Sequence, residues 1–121
     1  MEANRSAANV IRAYARGEVR VGDSVHRSAI LLGADLLAQL EPTQPSELTP
    51  ADLEAVFAAK PELVIIGWAG GQFFLPAAQR AWFLERRIGI ETMELGAACR
   101  TYNLLVQDGR AVIALLFPTS G

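Results

Sequence analysis

Leu63-Val64-Ile65-Ile66-Gly67 is the stretch on which the reading of this chain turns. Four consecutive aliphatic residues with no polar alternation suit a strand covered on both faces, as strands are in parallel sheets flanked by helices. Upstream of it, Thr49 is a good N-cap, Pro50 fits the first helical position, and Asp52 and Glu54 fall in the first turns. Leu53, Val56 and Phe57 share one face of that helix, which is expected to stop at Lys60-Pro61. Downstream, Trp68-Ala69-Gly70-Gly71-Gln72 is a glycine-rich loop, and Pro76 opens a second helix through Arg87 with Trp82 and Phe83 toward the core. Residues 88–93 read as a strand. Residues 94–106 read as a helix, with Ala97, Ala98, Thr101, Leu104 and Leu105 at helical spacing and Asp108-Gly109 as its stop. Residues 111–117 are a last buried strand. From Thr49 onward the order is helix, strand, helix, strand, helix, strand, which argues an α/β layer with a largely parallel sheet.

Working back toward the N-terminus, residues 39–50 hold three of the six prolines and form a loop. Ahead of it the pattern is antiparallel β. A short strand begins at Val10, and Glu18-Val19-Arg20-Val21 and Ser24-Val25-His26 flank Gly22-Asp23, a pair suited to a type II′ hairpin turn. The outgoing strand is expected to continue through Ala29-Ile30-Leu31-Leu32 and stop near Gly33. The expected organisation is a flexible tail over 1–9, one α/β domain over 10–118 and a short tail over 119–121. No internal repeat or low-complexity segment interrupts it.

Composition excludes several function classes. The chain has 121 residues, is 51% hydrophobic and 20% charged, and carries a formal net charge of −2. That is too apolar for a disordered chain and long enough for one core. Ten of the eleven basic residues are arginine, but they form no stripe interleaved with aromatics, so no nucleic-acid partner is expected. The longest apolar run, 111–117, is far short of the roughly 20 residues of a membrane span. One cysteine and one histidine leave no Cys- or His-based metal site and no internal disulfide. No cofactor is expected. The opening segment is superficially like a transit peptide, but the strand from Val10 leaves little room for one. A cytoplasmic location is expected, and the short N-terminus suits a bacterial protein.

Two groups of residues are candidates for chemistry. Gly67, Gly70 and Gly71 lie between a buried strand and a helix, where α/β folds bind anions through backbone N–H groups. The loop lacks the Lys-Ser/Thr pair of a phosphate loop and the spacing of a dinucleotide fingerprint, and a tight turn is the plainer reading. The second group is Glu91, Arg100, Thr101 and Asn103, carried to the carboxyl edge of the sheet by the strand before the third helix. An acid, a guanidinium and neutral donors suit a small polar ligand, or else a solvated helix face; Arg100 reaches Glu94 only if the chain bends between them. Cys99 lacks a base beside it and reads as an inert core thiol, and His26 as an edge residue. No nucleophile elbow is present.

Glu91-Thr92-Met93, Ala97-Ala98-Cys99-Arg100-Thr101-Tyr102-Asn103-Leu104-Leu105 and Asp108-Gly109-Arg110-Ala111-Val112-Ile113-Ala114 together resemble a small single-domain family. It includes the mitochondrial respiratory complex I assembly factor 3 and many uncharacterised bacterial and archaeal proteins. The strand ending Ile65-Ile66-Gly67 and the hairpin Val19-Arg20-Val21-Gly22-Asp23 fit the same pattern, so the resemblance covers about 10–118. It implies a three-layer fold whose mixed central sheet has one strand antiparallel to the others, with a β layer from the N-terminus. It implies no established catalysis; the best-understood members act through protein contacts. The chain departs from the family pattern at Gly67-Trp68-Ala69, where Gly-x-Gly is usual, and at Leu95, where threonine is usual.

The first expectation is therefore a non-enzymatic protein-interaction or assembly-factor-like module with Trp68, Phe73 and Phe74 as the contact patch, since clustered exposed aromatics mark interfaces. The alternative is a small-molecule or anion-binding protein, or a weak enzyme, with its pocket at the sheet edge. A monomer or weak homodimer with a protein partner is compatible with the first.

Overall fold

A computed structural model describes residues 8–120. Eight strands and three α-helices follow one another as β1 (Ile11–Ala15), β2 (Glu18–Val21), β3 (Ser24–His26), β4 (Ile30–Gly33), β5 (Leu36–Gln39), α1 (Glu54–Ala59), β6 (Leu63–Trp68), α2 (Ala77–Leu84), β7 (Gly89–Glu94), α3 (Leu95–Gln107) and β8 (Val112–Phe117). β1, β2 and β3 form an antiparallel three-stranded sheet, and the other five form a sheet of order β5-β4-β8-β6-β7. β6 runs parallel to β7 and β8, while β4 is antiparallel to both β8 and β5. One strand, β4, thus opposes the other four, as the family resemblance implies.

The central strands are apolar on both faces because both faces are covered. Val64 and Ile66 of β6, with Ile113, Leu115 and Phe117 of β8, pack with Leu53, Val56 and Phe83 from the α1 and α2 side. Ile65 with Val112, Ala114 and Leu116 pack with Leu95, Ala98, Tyr102 and Val106 of α3 and with Ile11, Val19 and Val21 of the smaller sheet. The sheet is the middle of three layers, and each apolar residue faces the layer its parity along the strand dictates.

Local signals set the boundaries. Thr49 and Asp52 form a reciprocal capping box, with the Thr49 N–H donating to the Asp52 carboxylate at 2.8 Å, and a 3-10 turn over Pro50–Leu53 leads into α1. Gly22 takes the positive φ of +56° that the two-residue turn between β2 and β3 requires. Three expectations need correction. The strand from Ser24 does not run on to Gly33: it ends at His26, and the chain crosses to the other sheet before Ile30. Leu36–Gln39, assigned no element from sequence, is the edge strand β5, paired with β4 through a two-residue turn at Ala34-Asp35. The second helix also ends at Leu84, short of the expected Arg87, which adopts φ +59°.

Of the expected tail over 1–9, residues 1–7 lie outside the described residues. Asn9 is tied down: its N–H donates to the Ala34 carbonyl at 2.8 Å and its amide to the Gly33 carbonyl at 3.0 Å. At the other end, Thr119 accepts a hydrogen bond from the Trp68 indole at 3.1 Å, and Gly121 lies outside the described residues.

Candidate functional site

The carboxyl ends of the parallel strands meet at one edge, where Trp68 lies in register with Glu94 and with Phe117. A cleft of about 390 Å³ opens there between β1 and the start of α3, lined by Tyr14, Arg16, Ala69, Glu94, Gly96 and Ser120 among others. Glu94 immediately precedes α3, and its carboxylate accepts the N–H of Gly96 at 2.9 Å and of Ala97 at 3.1 Å. Donation by Gly96, then by Ala97, holds the carboxyl below the usual carboxylate range, with a smaller attraction from Arg100. The helix N-terminus is therefore met by the chain's own anion. Arg100 donates to the Tyr14 hydroxyl rather than pairing closely with Glu94. Gly96 has tight surroundings: a Cβ would lie 3.0 Å from the Tyr14 ring and 3.3 Å from the Arg100 guanidinium.

The glycines expected to cradle a ligand do other work. Gly67 is buried, and a Cβ there would collide with the Cβ of Ala98, so its missing side chain lets α3 lie close on β6. Gly71 has φ +109°, the backbone a tight turn needs, and its N–H donates to the Trp68 carbonyl at 3.2 Å. Ala69 N–H donates to the Phe117 carbonyl at 2.9 Å. Gly70 lies against the Trp68 indole. None of the three lines the cleft.

The second candidate group is dispersed. Glu91 is exposed on β7 opposite Ile65 and does not line the cleft. Thr101 is half-buried on α3. Both ends of the Asn103 carboxamide engage Ile11: Oδ1 accepts its N–H and Nδ2 donates to its carbonyl, each at 2.8 Å. The neighbouring Tyr102, fully buried, donates its hydroxyl to the Asn9 carbonyl at 2.8 Å. Arg100, Tyr102 and Asn103 thus all reach the segment containing β1. Burial, helped by Glu94 and opposed by Arg100, pushes the Cys99 thiol up to about 12, where little thiolate exists at neutral pH.

The aromatic loop divides in two. Trp68 and Phe73 are half-buried and meet edge to face, ring centroids 5.6 Å apart, and the Phe73 carbonyl accepts the Thr92 hydroxyl at 3.0 Å. Phe74 is 88% exposed.

The sequence places Glu94 near the start of the third helix, but its capping role escaped that reading although it had a usable signal, an acidic residue directly before a helix. Buried Gln79 on α2, whose amide donates to the Ser46 and Leu48 carbonyls at 3.1 and 3.0 Å, had none. Among the described residues no cluster of His, Cys, Asp and Glu suits a metal ion, and no helix is long and apolar enough to cross a membrane.

Known proteins of the same shape carry little functional information. A protein of Bordetella parapertussis superposes with a TM-score of 0.84 at 31% identity, covering 93% of this chain and 97% of that one. A protein of Bartonella henselae described as an outer membrane protein gives 0.83 at 34%, with the same coverage. A Bordetella pertussis protein described as an Mth938-like domain gives 0.82 at 26%, covering 96% and 89%. An uncharacterised protein of Rhodobacter capsulatus is 31% identical over 111 residues, 92% of this chain and 86% of its own length. Residues 11–117 match the family model described as protein of unknown function (DUF498/DUF598), and the chain belongs to that family.

Proposed function

We propose that this domain is a non-enzymatic protein-interaction module, assembly-factor-like in acting through contacts, and that Phe74 is its principal anchor. The exposed Phe74 ring carries the reading. A phenyl ring projecting from a loop that Trp68, Phe73 and Thr92 hold in place loses little freedom on binding, which is the character of an interface hot spot. Trp68 and Phe73 support that loop more than they touch a partner. The buried, weakly acidic Cys99 thiol argues against nucleophilic catalysis. The resemblance to the family of complex I assembly factor 3 supports a role in assembly; a cytoplasmic protein, monomeric or weakly dimeric until its partner binds, accompanies this reading. Affinity purification from the source bacterium with wild type and Phe74→Ala tests it. The expected result is a stoichiometric partner whose recovery falls at least tenfold in the variant, at unchanged melting temperature. Identical recoveries refute the assignment.

A small-polar-ligand site is the second reading, favoured by Arg16 and Tyr14 facing Glu94 across the 390 Å³ cleft. Ligand-observed NMR with a library of small carboxylates and phosphates should then find binders that Arg16→Ala abolishes.

A further inference from the structure

The opposite edge of the five-stranded sheet, where β6, β7 and β8 begin, has a second and more apolar opening. Here α1 and α2 both end, and between them lies a cleft of about 600 Å³ walled by Phe57, Pro61 and Ile88, with Lys60, Arg86 and Arg87 around it. Its size is that of a small-molecule site. Its charge runs against a chain whose net charge is −2.

The three cations are not equivalent. Arg86 lies over the Phe57 ring at 4.0 Å and donates to the Trp82 carbonyl at 2.8 Å, with Glu85 3.8 Å away, so it is already engaged. Glu62, the one carboxylate among the described residues that lines the cleft, is paired with Arg110 at 2.8 Å. Lys60 and Arg87 have no carboxylate within 4.0 Å among the described residues. The carbonyls at the end of α2 that would repel an anion are themselves covered: those of Phe83 and Leu84 accept backbone N–H groups of residues 86–88, and that of Trp82 accepts Arg86.

Backbone conformation picks out the same pair. Lys60 with φ +50° and Arg87 with φ +59° are the two non-glycine residues at positive φ among the described residues. Glycine or asparagine is favoured at such helix-ending positions, because a Cβ is crowded there. Long cations stand at both, and both border the one cleft. An observed backbone outlier of this kind points toward function.

We propose that this cleft binds a small amphipathic anion, a monocarboxylate with an apolar body. The carboxylate sits between the Lys60 ammonium and the Arg87 guanidinium, and the body lies on Phe57, Pro61 and Ile88. The site is independent of Phe74, which stands at the other edge of the sheet.

Two-dimensional amide NMR with decanoate as probe tests this, with decanol and inorganic phosphate as controls. Decanoate should give saturable shifts confined to residues 57–62 and 86–89, decanol should bind at least tenfold more weakly, and phosphate should give no localised shift. Lys60→Asn with Arg87→Asn removes both charges while keeping a residue that tolerates positive φ, so the double variant keeps its fold. It should weaken decanoate at least tenfold at unchanged melting temperature. Equal affinity for decanol, or undiminished binding by the double variant, overturns the proposal. So does sedimentation with phosphatidylglycerol vesicles in the absence of a saturable decanoate response, which would assign the two cations to a lipid surface.

Discussion

The two faces of the five-stranded sheet are covered by different chemistry. On the α1 and α2 side the cover of β6 and β8 is apolar, with Leu53, Val56 and Phe83 fully buried and Phe83 meeting Phe57 edge to face at 5.8 Å. Its one buried polar side chain among the described residues, Gln79, ties α2 to the segment 45–48 and not to the sheet. On the α3 side an apolar core is bordered by a polar seam, in which Asn103, Tyr102 and Arg100 bind Ile11, Asn9 and Tyr14. Apolar burial is non-directional and fixes how firmly layers adhere; paired hydrogen bonds fix where they adhere. The three-stranded sheet shares no ladder with the larger one. Its position therefore depends on this seam together with the packing of Ile11, Val19 and Val21 and the hydrogen bond from the Gly17 N–H to the Pro118 carbonyl at 3.0 Å. The Arg100-Thr101-Tyr102-Asn103 stretch, the most recognisable part of the sequence, acts in the described residues as a fastener for β1 more than as a pocket wall.

If that contrast is right, substitutions on the two sides fail in different ways. Phe83→Ala removes a fully buried ring from the apolar side and should cost about 3–5 kcal/mol, read as a lowered urea midpoint with one cooperative transition. Asn103→Ala should cost less, about 2 kcal/mol, because it removes the side-chain partner of both the Ile11 N–H and the Ile11 carbonyl. Its signature is locality: amide exchange should quicken in β1 and β2 while β6 and β8 keep their protection. Uniform acceleration across both sheets would break the comparison. Tyr102→Phe, which deletes only the hydroxyl bonded to Asn9, should repeat that local pattern at about 1 kcal/mol.

The same contrast explains how much of the molecule was legible in advance. Elements built on apolar pattern and end signals were readable: the Leu63-Val64-Ile65-Ile66 run, the capped start at Thr49, the Gly22-Asp23 turn. β5 was not, because Leu36-Leu37-Ala38-Gln39 has neither alternation nor β-branched residues and becomes a strand only by pairing with β4. The switch of sheets near Arg27 left no local mark either, since Ile30 continues an apolar pattern that suits either sheet. Candidate site residues fared differently. Polar side chains at a sheet edge look alike in sequence whether they await a ligand or fasten backbone, and Asn103 differs from Thr101 only through a partner 92 residues away. Gly67 likewise reads as loop chemistry until Ala98 is placed over it.

The smallest expected effect lies where seam and cleft meet, at Glu94. Its carboxyl is held below the ordinary range chiefly by the Gly96 and Ala97 N–H groups, so the folded chain releases this proton more readily than the unfolded one does. A carboxyl depressed in the folded state contributes stability above its unfolded pKa of about 4.3, and that contribution is lost as pH falls through the lower folded value. Glu94 is exposed, so screening keeps the effect to that of an ordinary cap: Glu94→Ala should lower stability at pH 7 by about 0.5–1 kcal/mol. The gap between wild type and Glu94→Ala, measured by urea unfolding, should shrink steadily as pH falls below about 4.3. Glu62 is also held low, by Arg110, but it titrates in both proteins and cancels in the difference. A gap that persists undiminished in acid would mean that a neutral carbonyl caps α3 as well as the carboxylate does. The charge of Glu94 would then be free to meet a cationic group in the cleft, which would favour the ligand reading of that edge over the purely structural one.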